Sequence, residues 1–344
     1  MKNTLLLAFV FILVSCSDNS IAFKVGKKIN SITPIEERTL EPTGTLFGSF
    51  LDGVWGINCI VDDSLAILSL RNADDFCFRA LSLYDYRYLD FLAKGRGPGE
   101  VIAAFFSTKK TEKDRTFLDI TAINERLLLS IDLNETLNEG YAIITETDEL
   151  VYGSMFSFHV RDKILSEVVN DEDIYSMKIY EKDGEVVRID QIYGDKEYLA
   201  AYQPLFNSTR MIKPDGSKLS LSMFYFDEIN IYDIEGDNHL TISTSQRLND
   251  GTTIKDAISH GRMGDHYYYL DQDVTDESIF ALYYDCEVSE SSERSSSTIH
   301  VFSWDGQLKA VYHIDEPLID IAITDDESTL YGITAEEILY RYDL

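Results

Sequence analysis

The chain has 344 residues, with 60 Asp plus Glu against 30 Lys plus Arg and a formal net charge of −30. A surface that negative repels phosphate backbones and argues against nucleic-acid binding. The length suits one large radial array, and the abundance of Tyr (21) and Phe (18) beside only 6 Pro suits strands.

The N-terminus reads as an address. Lys2 supplies a positive start and Leu5 to Val14 a short apolar run, too short to span a bilayer. Leu13-Val14-Ser15-Cys16 then sets a small residue before a cysteine, the pattern of a bacterial lipobox. In that class the Cys16 sulfur takes diacylglycerol, the preceding peptide is removed and the new amine is acylated. Each buried methylene of such chains adds roughly 0.8 kcal/mol of membrane affinity. An ordinary secretory signal with an incidental cysteine is the alternative. The expected division is a signal peptide over 1–15, a lipidated tether over 16–34 and one domain over 35–344.

Six short alternating strands then recur, each followed by a turn: Leu81 to Asp85, Leu128 to Asp132, Met177 to Tyr180, Asn230 to Asp233, His300 to Asp305 and Leu339 to Asp343. The first four are spaced by about 50 residues, the period of a four-stranded propeller blade. Asp183-Gly184 and Asp305-Gly306 are favoured hairpin dipeptides, and another short strand follows each. The recurring strand is therefore the third of each blade. The expected fold is an all-β, six-bladed β-propeller with units over 50–94, 101–140, 150–194, 203–245, 260–315 and 316–344. The last unit stops after its third strand, and an open edge there would expose unpaired backbone groups. Residues 35–47 are expected to pair with it and close the ring. The aperiodic Ser/Glu run 287–297 reads as a solvated loop inside the fifth unit.

Between the first two units lies Lys94-Gly95-Arg96-Gly97-Pro98-Gly99-Glu100. Pro98 disturbs any nucleotide-loop spacing and an extended segment follows in place of a helix. The string reads as a rigid crossover, and Lys94 and Arg96 are candidate anion-binding contacts. With the lipobox and the six units, the Gly95 to Glu100 string resembles the TolB-like six-bladed propeller lipoproteins of Gram-negative bacteria. That resemblance spans nearly all of the mature chain. It implies a propeller fold and a cell-envelope location, and it carries over no catalytic residue.

Chemistry-bearing motifs are sparse. Asp271 to Glu277 alternates Asp like the start of a calcium loop but lacks the required Gly and the twelfth-position Glu. Acidic runs at 171–173 and 325–327 fall where hairpins turn. Six His are scattered, His260 and His266 flanking the entry to the fifth unit. Tyr267, Tyr268 and Tyr269 read as core packing. Cys59, Cys77 and Cys286 form no disulfide framework; Cys59 and Cys77 either pair or serve as small buried fillers. No G-x-S-x-G, P-loop or H-E-x-x-H occurs. No cofactor and no metal is expected. The reading is an outer-membrane lipid-anchored module, facing periplasm or cell surface, that binds an envelope protein, peptide or glycan. A glycan-active enzyme with paired acids in the central pocket is the alternative.

Overall fold

The computed structural model describes residues 22–23, 27–30, 33–71, 75–168, 176–181, 184–190, 192–193, 207–235, 239–244 and 266–344. Cys16, the signal peptide, most of the tether, the 171–173 turn and His260 lie outside them.

Four short strands come first: β1 (Ala22–Phe23), β2 (Lys27–Asn30), β3 (Glu36–Leu40) and β4 (Gly44–Leu46). The first sheet is β5 (Val54–Val61), β6 (Leu65–Leu70), β7 (Phe76–Ser82) and β8 (Tyr88–Ala93). The second is β9 (Ala104–Glu112), β10 (Arg115–Ala122), β11 (Leu127–Asp132) and β12 (Ile144–Glu149), with helix α1 (Leu133–Glu139) between its last two strands. The third is β13 (Ser154–Val160), β14 (Lys163–Val168), β15 (Ser176–Glu181) and β16 (Gly184–Asp190), after which β17 (Ile192–Tyr193) pairs with β1. The fourth is β18 (Ser208–Ile212), β19 (Lys218–Met223), β20 (Ile229–Asp233) and β21 (His239–Ser243). The fifth is β22 (His266–Val274), β23 (Ser278–Glu287), β24 (Ser297–Ser303) and β25 (Leu308–Ile314). The sixth is β26 (Leu318–Ile323), β27 (Thr329–Thr334) and β28 (Leu339–Asp343). Within each sheet the strands follow one another antiparallel in chain order, the arrangement of a β-propeller.

The six recurring strands of the sequence are the third strands β7, β11, β15, β20, β24 and β28. Second strands are apolar or small on both faces because a neighbouring sheet covers each side: Leu65 to Leu70 and Thr329 to Thr334 are buried almost throughout. Outer strands are polar, as in Ile144-Thr-Glu-Thr-Asp-Glu149, whose outward residues face water. The second unit runs to Glu149 and not to 140. Asp132, where a hairpin turn was expected, instead caps α1 by accepting from Glu135 N at 2.9 Å, and Gly140 ends that helix in the left-handed conformation.

The N-terminal segment reaches further than one blade. β4 pairs antiparallel with β28, Leu46 opposite Leu339. β3, inside the stretch expected to serve the last unit, adds in parallel to β25 of the fifth sheet, and β2 adds in parallel to β21 of the fourth. The segment thus forms a strap over consecutive outer edges.

Five clusters of buried apolar side chains join sheets: first to second (Phe78, Leu118), third to fourth (Phe158, Leu221), fourth to fifth (Ile231, Ile279), fifth to sixth (Phe280, Leu330) and sixth to first (Ile57, Ile333). Among the described residues none joins the second sheet to the third. Polar groups fill that seam: Ser107 and Thr121 hydroxyls lie 2.9 Å apart, Ser157 N donates to Thr121 Oγ1 at 3.0 Å, and Ser157 and Ser166 hydroxyls meet at 2.7 Å.

Candidate functional site: the axial chambers

The first strands β5, β9, β13, β18, β22 and β26 surround two cavities of about 610 and 550 Å³. In each strand the earlier residues line the larger chamber and the later ones the smaller, so all six run the same way along the axis. Asn58, Phe106 and Met211 border both chambers.

The larger chamber is walled by rings. Trp55, Phe105, Phe156, Phe158 and Phe224 face it, with Phe105 and Phe156 packed edge to face at 5.4 Å. Into this apolar wall the fourth sheet brings Arg210. Its guanidinium lies 4.5 Å over the Phe156 ring, donates to Glu167 Oε1 at 2.7 Å and to Ser208 O at 2.5 Å, and leaves Nε without a partner among the described residues. Both side chains of the pair are more than nine-tenths buried, at 8% and 2% exposure. The pair ties the third sheet to the fourth.

Across the axis the fifth and sixth sheets present acids. Among the described residues no ladder joins the inner strands of neighbouring sheets, so their N–H groups need side-chain partners. Asp271 Oδ2 accepts from Ile321 N at 2.8 Å, Asp273 Oδ2 from Ile323 N at 2.9 Å and Asp320 Oδ2 from Ile57 N at 3.2 Å. Alternation along β22 puts Asp271 and Asp273 on one face, so the spacing that looked like a calcium loop serves amides of the next blade. Asp271 and Asp320 also hydrogen-bond each other and titrate as one pair. Burial raises both carboxyls above the usual range; the Asp271 charge raises Asp320 further, and the Asp320 hydrogen bond pulls Asp271 partly back. Asp273 is pushed up to about 7 by burial, against the pull of the Ile323 and Val274 amides and Lys109. Gly56 makes room for this arrangement, since a Cβ there would collide with Asp320 Oδ2. Gln272, between the two acids, accepts from Ser220 and Ser222 at 2.8 Å each and donates to Thr209 O at 2.9 Å and Ser220 O at 3.1 Å.

The smaller chamber is charged. Lys109 donates to Ile60 O and Asp325 Oδ1, both at 2.7 Å, while His159, Arg161, Lys213 and Asp215 stand on its other walls.

Lys94 and Arg96 line neither chamber. They sit on the crossover from β8 to β9, Lys94 half-buried and Arg96 exposed. Glu100 folds back into the glycine turn, its Oε2 accepting from Gly97 N at 2.7 Å, and a Cβ on Gly95 would collide with the same oxygen. The cradle thus holds the chain's own carboxylate. Cys59 and Cys77 are buried and free, with burial pushing the Cys59 thiol up to about 12; Cys286 is half-buried and free. Tyr268 and Tyr269 are core, and Tyr267 stacks on Tyr225. His266 pairs with Asp285 at 2.8 Å, away from the axis. Glu167, Arg210, Asp320 and His159 were not singled out from the sequence. An acid between isoleucines, as in Ile319-Asp320-Ile321, was the readable signal for Asp320.

No family model and no curated protein sequence matches the chain. Among solved structures it is similar to a member of the DUF4221 family from Bacteroides vulgatus, at 12% identity and TM-score 0.49, with 94% of this chain and 98% of that one covered. It is similar also to a chain of a mitotic checkpoint complex, at 10% identity and TM-score 0.48 over 99% of each chain. A third similarity is to Hsv2 of Kluyveromyces lactis, at 13% identity and TM-score 0.42, covering 84% of this chain and 74% of that one.

Proposed function

We propose that the protein is a lipid-anchored envelope binding module whose ligand seat is the larger axial chamber. The observation that carries the reading is the chamber itself: about 610 Å³, walled by aromatic rings, with a guanidinium and a proton-sharing acid pair as its polar points. Cys16 is the proposed lipid attachment site, placing the module at the outer membrane on its periplasmic or outer side. The ring is read as six-bladed and TolB-like, with β4 as the outer strand of the last blade. Six four- or five-stranded sheets, the β4–β28 ladder and the apolar cluster between sixth and first sheets support that count. Lys94 and Arg96 are proposed as contacts for a protein or peptide partner at the rim. A glycosidase needs two carboxyls about 5–10 Å apart on either side of a bond. Asp271 and Asp320 instead hydrogen-bond directly, which favours binding over hydrolysis.

The test is affinity capture from detergent-solubilised envelope with the full chain. A stoichiometric partner lost with Trp55→Ala and Phe156→Ala supports the chamber as the seat. Loss only with the Lys94→Ala/Arg96→Ala double variant moves the seat to the rim. Capture unaffected by either set overturns the assignment of both surfaces.

A further inference from the structure

The seam between the second and third sheets departs from the others in what it buries. Register aligns Thr108, Asp119, Ser130 and Glu146 in one row across the second sheet, from inner to outer strand. Asp148 lies two residues beyond Glu146 on the same strand, hence on the same face. From the third sheet, His159 lies against this row with its side chain 9% exposed. Its Nδ1 is 3.0 Å from Asp119 Oδ2 and its Nε2 is 2.9 Å from Asp148 Oδ2. One oxygen each of Glu146 and Asp148 and a ring nitrogen of His159 lie within 4.8 Å of one another. Asp119 is wholly buried; Lys110 Nζ stands 2.6 Å from its Oδ2, and its Oδ1 has no hydrogen-bond partner among the described residues.

We propose that Glu146, Asp148 and His159 form a binding site for one divalent transition-metal ion. Three features carry this. The donor set, one imidazole and two carboxylates, suits zinc and its first-row neighbours. The Asp119 carboxylate stands 3.0 Å behind the imidazole at Nδ1 and accepts from the His159 backbone N at 3.3 Å, with Nε2 toward the other two ligands, the placing of a carboxylate found behind metal-bound histidines. Lys110 offsets the charge of Asp119, so the charge left facing the ion is that of Glu146 and Asp148. The ion would take the place of the direct His159–Asp148 contact and would pin the outer strand β12 to the inner strand β13. Open coordination positions toward solvent would be filled by water. The site is independent of the proposed axial ligand seat and stands or falls separately from it.

The experiment is competition of the chelator-stripped full chain against a chromogenic zinc chelator, with stoichiometry and Kd read out. One zinc per chain is expected, with His159→Gln and Asp148→Asn abolishing the site and Asp119→Asn weakening it about 10–100-fold. Glu146→Gln changes an exposed side chain and serves as the variant that leaves the fold intact; it too must weaken binding. Asp271→Asn, on the axis, must leave zinc affinity unchanged. No zinc binding overturns the proposal. So does binding that persists unchanged in the Glu146 and Asp148 variants, which would mark diffuse attraction to an acidic surface.

Discussion

Asp320 and Asp271 share a hydrogen bond across the seam between the sixth and fifth sheets, while Ile57 N donates to Asp320 Oδ2 and Ile321 N to Asp271 Oδ2 and Asp320 Oδ1. One proton thereby does the work of a cross-strand bond between blades. Like charges at hydrogen-bond distance cannot both ionise, so this contact exists only while the proton stays.

Stability accordingly falls with rising pH. An unfolded Asp titrates near 3.9, whereas Asp273 is held up to about 7 and Asp271 and Asp320 are also raised. The native state binds more protons than the unfolded chain between these values. The contribution of Asp273 is complete below about pH 4 and is lost as pH climbs through 7, at up to about 1.4 kcal/mol per pH unit, and the raised Asp271–Asp320 pair adds a loss of the same sign. Urea unfolding from pH 5 to 8 should show this decline, and Asp320→Asn, which keeps a donor toward Asp271, should flatten it. A pH-independent wild type would contradict the shared proton.

Gly56→Ala places a methyl where Asp320 Oδ2 lies. The expected loss is about 1–3 kcal/mol, the range for overpacked sites, together with a reduced pH slope. A drop in stability without a change of slope would mean that the strand moved and the acid pair survived.

The Glu167–Arg210 pair is buried on both sides. Arg210→Met leaves a carboxylate without a partner and should cost about 3–5 kcal/mol. Adding Glu167→Gln should return most of it. A double-mutant cycle near zero coupling would show the pair to be incidental.

The strap predicts an edge effect. Removing residues up to 47 takes β4 from β28 and uncovers its backbone groups. Light scattering should then report higher oligomers than for a chain cut only up to 41, which has equally lost β2 and β3 but keeps β4 on β28. Equal behaviour of the two truncations would remove β4 from that role.

Glu100→Ala empties the glycine turn of its carboxylate. One hydrogen bond is lost, about 1 kcal/mol, while exposed Arg96→Ala should stay within about 0.5 kcal/mol. The comparison, by chemical denaturation, separates a self-filled turn from one kept open for a ligand.

The blades were legible because their third strands repeat a local pattern, alternation followed by a polar turn, that needs no tertiary information. The end of the second unit was not, because Asp132 serves equally as a turn residue and as a helix cap, and only the chain beyond it decides. The destination of residues 36–40 was illegible for another reason: outer edges of several blades accept the same strand, and the segment divides itself among them. The chambers were hidden by distance along the chain. Arg210 and Glu167 are 43 positions apart, with nothing local to join them. Asp271 and Asp273 were seen, yet alternating acids describe a loop ligand and an inner-strand amide acceptor alike until the neighbouring blade is in place. His159 looked scattered because its partners belong to another sheet.

Thr43 donates to Asp343 at 3.1 Å across 300 positions of sequence. During synthesis β4, made before every strand of the six sheets' cores, must therefore wait for β28, the last one made. Its binding edge on the sixth sheet does not exist until nearly the whole chain has emerged. Such long-range pairing is slow and leaves sticky edges exposed meanwhile. Were the front end tethered through Cys16, as proposed above, the chain would seat β4 only by drawing that end back to the edge of its last-made sheet.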